Sequence, residues 1–238
     1  MTFTLHKSFS ELVNKYDGFI LDQFGVMHNG KESLPGAVHC VETLASLDKK
    51  LIILSNTSSP SQSALDKLPK LGFDPKHFIG AVTSGEEASR FILEHYGRGS
   101  TSTSTSKKNH GDVVSTSNYA KKCILLTWAD DTVSNKFLDQ CGNVEITSDF
   151  DEADFVIAHG SQVFRNGNRS SSKSKGEVGD NNDNDNDLSL GSFMDDGDLS
   201  QIEPILQKCK ERNLHMICAN PDFVVKIGDG SIAHMPGK

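Results

Sequence analysis

Gly18-Phe19-Ile20-Leu21-Asp22-Gln23-Phe24-Gly25-Val26-Met27-His28-Asn29-Gly30 is the stretch around which the chain is organised. The apolar run Phe19-Ile20-Leu21 ends in a lone carboxylate, and glycines and polar residues follow. An apolar run bounded by turn signals predicts a strand buried on both faces. Asp22 then falls at the strand's carboxyl end, where open α/β sheets place their ligand crevices. A single acid there is either a structural group at a buried edge or a working one.

A second stretch, Leu51-Ile52-Ile53-Leu54-Ser55-Asn56-Thr57-Ser58-Ser59-Pro60, repeats the design with hydroxyl residues at the strand end. The segment from Leu34 to Lys50 between them reads as a helix. Pro35 suits its first turn, Val38, Val41, Leu44 and Ala45 fall near helical spacing, and Lys49 and Lys50 suit its carboxyl end. Strand, helix, strand predicts a parallel βαβ unit. Asp22 then lies beside Ser55 and Asn56, a carboxylate next to a hydroxyl and an amide, suited to attack or orient a phosphoryl group.

These residues resemble a known family. Asp22-Gln23-Phe24-Gly25-Val26 with Asn29-Gly30, then Leu54-Ser55-Asn56, then Ala219-Asn220-Pro221-Asp222 look, in that order, like the haloacid dehalogenase (HAD) superfamily. The nearest resemblance is to its class IIA hydrolases, which carry a cap between the second and third motifs. The resemblance implies a doubly wound parallel, Rossmann-like α/β core with an inserted α/β cap. It also implies that Asp22 is the nucleophile, forming an aspartyl-phosphate, and that Ser55 hydrogen-bonds a phosphoryl oxygen. Mg²⁺ would be held by Asp22 and the backbone carbonyl of Phe24. Gly25 and Asn56 would border the substrate, and Asn220 and Asp222 would stand at the site's edge.

Two departures stand out. The family's acid and base, two residues after the nucleophile, is here Phe24, and a phenyl ring carries no proton. The third-motif lysine and the fourth-motif Gly-Asp block are also not found before Lys238. Gly228-Asp229-Gly230-Ser231 reads as a tight turn with no acid after it, and Lys238 has no strand ahead of it. The expectation is a core incomplete at its carboxyl end, from a truncated product, a splice form or an incomplete gene model, with weak activity or none.

The net charge of -8, with no basic tract longer than a lysine pair, argues against nucleic acid as a partner. No apolar run approaches the ~20 residues that span a bilayer, and the N-terminus lacks a signal-peptide core. A cytoplasmic protein is the default expectation. The five cysteines form no metal-ligand spacing, so reduced thiols are expected, with Cys40, Cys123, Cys209 and Cys218 as small core residues.

Along the chain, Ser8–Tyr16 predicts a helix capped by Ser8 or Ser10, and a helix carrying Ala64, Leu65 and Leu68 stops at Gly72. Phe78–Val82 reads as a buried segment, and Thr83 or Ser84 caps a helix running to Tyr96. Residues 1–82 are assigned to the core, 83–219 to the cap and 220–238 to the return to the core. Two polar tracts, near 98–119 and 166–198, read as disordered insertions. Asp183-Asn184-Asp185-Asn186-Asp187 fails the EF-hand pattern, because its sixth and twelfth positions are Leu188 and Met194. Strands are expected at 122–128, 144–146, 154–160 and 214–219, helices at 131–141 and 199–212, and a hairpin joining 223–225 to 231–233.

The expected function is Mg²⁺-dependent hydrolysis of a small phosphorylated metabolite. The rival is a non-catalytic phosphate-binding or regulatory protein on the same fold.

Overall fold

Phe19 and Leu21 alternate with Gly18 and Ile20 along the first strand, and that alternation decides how the surrounding sheet is packed. The computed structural model describes residues 5, 6, 8–98, 100–107, 112–167, 187–226 and 231–238. These fall into two units, Met1–Glu86 with Ile227–Ser231, and Glu87–Lys226 with Ile232–Lys238.

The first unit opens with a short helix, α1 (Ser10–Val13), much shorter than the expected 8–16 and with no side-chain cap. Then come β1 (Gly18–Leu21), α2 (Ala37–Ser46), β2 (Lys50–Ser55), α3 (Ser61–Lys67), a 3₁₀ turn at Leu68–Leu71, β3 (Phe78–Thr83) and the first turn of α4 (Ser84–Ile92), whose residues from Glu87 on belong to the second unit. Gly72 ends the 3₁₀ turn at φ 84°, the left-handed stop expected of it. The three strands form a parallel sheet in the order β1-β2-β3, with Phe19 opposite Leu51 and Leu21 opposite Ile53. This is the predicted βαβ arrangement, extended by one strand.

Partners directly opposite in a sheet share a face. Phe19, Leu21, Leu51, Ile53 and Phe78 all point to one side, where they pack with Val41 and Leu44 of α2, Leu68 and Phe73. The other face carries Ile20, 70% exposed, and Leu54, 51% exposed. The expectation of a first strand buried on both faces is therefore not met, because the helices of this unit cover a single side.

The second unit contains a π-turn at Leu93–Gly97, then β4 (Ser100–Lys107), β5 (Asp112–Tyr119), β6 (Lys121–Thr127), α5 (Asp131–Leu138), β7 (Val144–Ile146) and β8 (Phe155–Ala158). It continues through β9 (Val163–Phe164), β10 (Leu188–Ser189), α6 (Gly191–Asp196), α7 (Glu203–Glu211), β11 (His215–Cys218), β12 (Val224–Lys226) and β13 (Ile232–His234). Six of these strands form a mixed sheet, β10-β9-β6-β8-β11, with β7 also on β6. Both faces are covered. Leu125, Phe155 and Ile157 pack with Ile92, Phe137 and Cys141 on one side, and Ile124 and Val156 with Leu190, Phe193 and Ile205 on the other.

Three expectations change here. Where the first polar insertion is expected, β4 and β5 pair antiparallel from Ser100 opposite Tyr119 to Lys107 opposite Asp112. The second insertion is shorter than 166–198, because Leu190 and Phe193 are buried in the core and fix residues 187–198. Most of the acidic tract, residues 183–186, lies outside the described residues. Residues 220–226 and 232–238, assigned above to the core, group with the second unit. Ala233 and Met235 are buried there, β13 packs on α6, and Ser161 Oγ donates to the carbonyl of His234 at 2.8 Å. The predicted hairpin is present as β12 and β13, while its turn at 228–230 lies outside the described residues.

Candidate functional site

Asp22 follows directly on β1 and Ser55 ends β2. Because the strands are parallel and Leu21 faces Ile53, the two residues stand at the same end of adjacent strands. Asp22 is exposed, and its Oδ1 accepts the N–H of Gln23 at 2.8 Å.

The loop after Asp22 is tied by its own backbone. The carbonyl of Gln23 accepts the N–H groups of Met27 at 2.8 Å and His28 at 3.1 Å, and Gly25, at φ 81°, donates to the carbonyl of His28 at 2.8 Å. Only a residue tolerant of positive φ fits that position. Met27 turns inward and is buried, anchoring the loop in the core. Phe24, in the place of the family's acid, is 45% exposed and sits edge-on to His28, with centroids 6.3 Å apart. Gly30, at φ 93°, makes room for it, since a Cβ there would lie 3.2 Å from the Phe24 ring.

The loop after Ser55 is held from outside. Ser84 Oγ donates to the carbonyl of Asn56 at 2.8 Å, Gly85 donates to that of Thr57 at 3.1 Å, and Ser61 N–H donates to Glu86 at 2.7 Å. Gly85 is packed so closely that a Cβ would lie 2.1 Å from the Ser58 carbonyl oxygen. Asn56 itself is exposed.

Between these loops lies a cavity of about 420 Å³, lined by Phe24, His28 and Lys31, by Ser55, Thr57 and Ser59, and by Lys67 and Lys70. Asp22 does not line it, but its chain neighbour Gln23 does. His28 Nδ1 accepts the N–H of Gly30 at 3.1 Å, so the neutral ring carries its proton on Nε2. Burial holds its pKa below the usual histidine value; the Asp22 charge opposes that shift and the Lys67 charge adds to it. Asn220 and Asp222 do not join this cavity. Both belong to the second unit, where Asn220 is buried and its Oδ1 accepts the N–H of Asp222 at 3.2 Å.

Sequence reasoning passed over His28, Lys67 and Lys70. The three-residue spacing of Ala64, Lys67 and Lys70 puts them on one face, but whether that face meets the cavity depends on how α3 packs. Among the described residues no group of three His, Cys, Asp or Glu side chains could hold a metal. The exposed Asp22 carboxylate at this strand end suits an ion that takes one or two carboxylates and completes its shell with water and phosphate oxygens, as Mg²⁺ does.

Residues 19–134 match the model of the haloacid dehalogenase-like hydrolases. That match spans just under half of the chain. A 4-nitrophenylphosphatase of Schizosaccharomyces pombe is 32% identical over 71 residues, which make up 29% of this chain and 24% of that protein. A haloacid dehalogenase-like hydrolase from Brucella suis superposes with a TM-score of 0.64 at 20% identity, covering 98% of this chain and 67% of its own. A p-nitrophenyl phosphatase from Archaeoglobus fulgidus gives 0.51 at 20% identity, covering 93% of this chain and 61% of its own. These two likenesses show the HAD fold. The chain thus spans about two thirds of these structures' length, and the matched part of the yeast protein is about a quarter of it. Among the described residues no helix is long and apolar enough to cross a membrane.

Proposed function

We propose that the chain carries the phosphoryl-binding half of a HAD-type phosphatase acting on a small phosphorylated compound, with the second unit serving as its cap. The observation that carries this reading is the placement of Asp22 and Ser55 at one end of adjacent parallel strands. A cavity lined by hydroxyls and lysines opens beside them. The 4-nitrophenylphosphatase relative supports the same chemistry.

In this reading an Asp22 carboxylate oxygen attacks phosphorus, the bond from phosphorus to the leaving oxygen breaks, and an aspartyl-phosphate forms. Ser55 donates to a phosphoryl oxygen as charge builds on it. Water then attacks the phosphorus of that intermediate, returning the Asp22 carboxylate and releasing phosphate. Mg²⁺, held by Asp22 and the Phe24 carbonyl, would neutralise charge on the phosphoryl oxygens. Phe24 donates no proton to the leaving oxygen, so leaving groups that are stable as anions are favoured.

The test is phosphate release from 4-nitrophenyl phosphate and a panel of alkyl phosphates with Mg²⁺, comparing the wild type with Asp22→Asn and Ser55→Ala. Equal release by wild type and Asp22→Asn ends the reading.

A further inference from the structure

The cavity beside Ser55 holds more positive charge than one phosphoryl group asks for. Lys67 closes α3 and Lys70 lies three residues on, in the 3₁₀ turn, and both line the cavity together with Ala64 and Leu71. Two ammonium groups three residues apart on one helical face repel by a few tenths of a kcal/mol. Neither is offset by an ion pair among the described residues. Lys31 lines the same cavity from the first loop. A space of about 420 Å³ also accommodates far more than a phosphoryl group, and sites of this size take whole small molecules.

The elements that line the cavity differ in chemistry. The loop after β2, beside the strand end that carries Asp22, offers hydroxyls from Ser55, Thr57 and Ser59. The α3 side offers ammonium groups set beside apolar Ala64 and Leu71. A lysine is a compact, mobile point charge that meets an anion without demanding planar geometry. We infer that Lys67 and Lys70 receive a second anionic group of the substrate, a carboxylate or a second phosphate, carried on a short carbon chain from the phosphoryl group at Ser55. This rests on the reading of the Ser55 end as a phosphoryl site.

Calorimetry on the full chain at low ionic strength tests it, with propyl phosphate, 1,3-propanediol bisphosphate and 3-phosphooxypropanoate as ligands. The two doubly anionic ligands are expected to bind at least tenfold more tightly than propyl phosphate. The double variant Lys67→Met, Lys70→Met should remove that advantage and change propyl phosphate affinity less than threefold. Both side chains are exposed, and methionine keeps the apolar stem, so the fold is not at risk. A preference for only one of the two ligands identifies the second group. Equal affinity for all three, or a preference that survives the double variant, overturns the inference and leaves the phosphate site standing. A chain that binds none of them ends both readings.

Discussion

The Glu86 carboxylate accepts the backbone N–H of Ser61 at 2.7 Å, tying the first turn of α4 to the first residue of α3. With Ser84 and Gly85 on the Asn56 and Thr57 carbonyls, it fixes the loop that carries the site hydroxyls. A hydrogen bond to a charged group is worth roughly 1.5–3 kcal/mol. Glu86→Ala should lose about that much stability in urea titration, and the Ser61 amide should exchange faster with deuterium. Glu86→Gln should recover part of both. Unchanged exchange at Ser61 would show that the loop is held without this bond.

Phe24 makes a separate prediction about the leaving group. A positioned acid speeds proton transfer by roughly 10²–10⁴-fold. Phe24→Asp should therefore raise phosphate release from alkyl phosphates much more than from 4-nitrophenyl phosphate, whose leaving group needs no proton. Phe24 is already 45% exposed, so the exchange leaves no buried cavity. Equal gains on both substrates, or none, would show that proton delivery is not what the ring withholds.

The thiols should react in a set order. Cys123, Cys141 and Cys209 are buried, Cys40 is half-buried and Cys218 is exposed. That corrects the sequence reading, which placed Cys218 in the core. Burial pushes the Cys141 thiol up to about 12 and Cys123 further still. The thiolate is the reactive form, so these two should resist alkylation in the native chain. Cys218 should react first. Burial of its sulfur raises its pKa as well, so less thiolate is present at pH 8 than for a free cysteine, and its rate should keep climbing above the usual thiol range. Mass spectrometry of timed iodoacetamide labelling reads the order; early labelling of Cys123 would contradict the core described above.

Arg165 is a buried charge with its partners in place. Its guanidinium, 5% exposed, meets Asp187 at 2.5 Å and Asp131 at 2.8 Å, and donates to the Trp128 carbonyl at 2.9 Å. Removing one partner of a buried pair costs up to about 3–5 kcal/mol, because the remaining charge stays desolvated. Asp187→Ala should approach that loss in thermal unfolding, with little relief from 0.5 M salt. A loss under about 1 kcal/mol, or one erased by salt, would show that the pair is solvated.

What the sequence made legible was local. The runs 19–21 and 51–54 announced strands, the spacing from Val38 to Ala45 a helix, and Asp22 and Ser55 a shared sheet end. What it hid depended on packing. Lys67 and Lys70 look like ordinary surface cations until α3 is seated beside the loop of Phe24. Leu190 and Phe193 sit in a polar stretch whose composition masks them, although both are core residues. The Ser/Thr tract carries no apolar pattern, so hydropathy gave no sign of the pairing of β4 with β5. Asn220-Pro221-Asp222 matched a motif by order along the chain, and order alone did not say which unit would hold it.

The three strands of the first sheet all lie within residues 18–83, uninterrupted by any element of the second unit. Chains emerge from the ribosome from the amino end at roughly 5–20 residues per second, and units fold as they appear. The ledge that presents Asp22 and Ser55 can thus be in place seconds before the six-stranded sheet has been synthesised, and it needs no long-range partner to set its register.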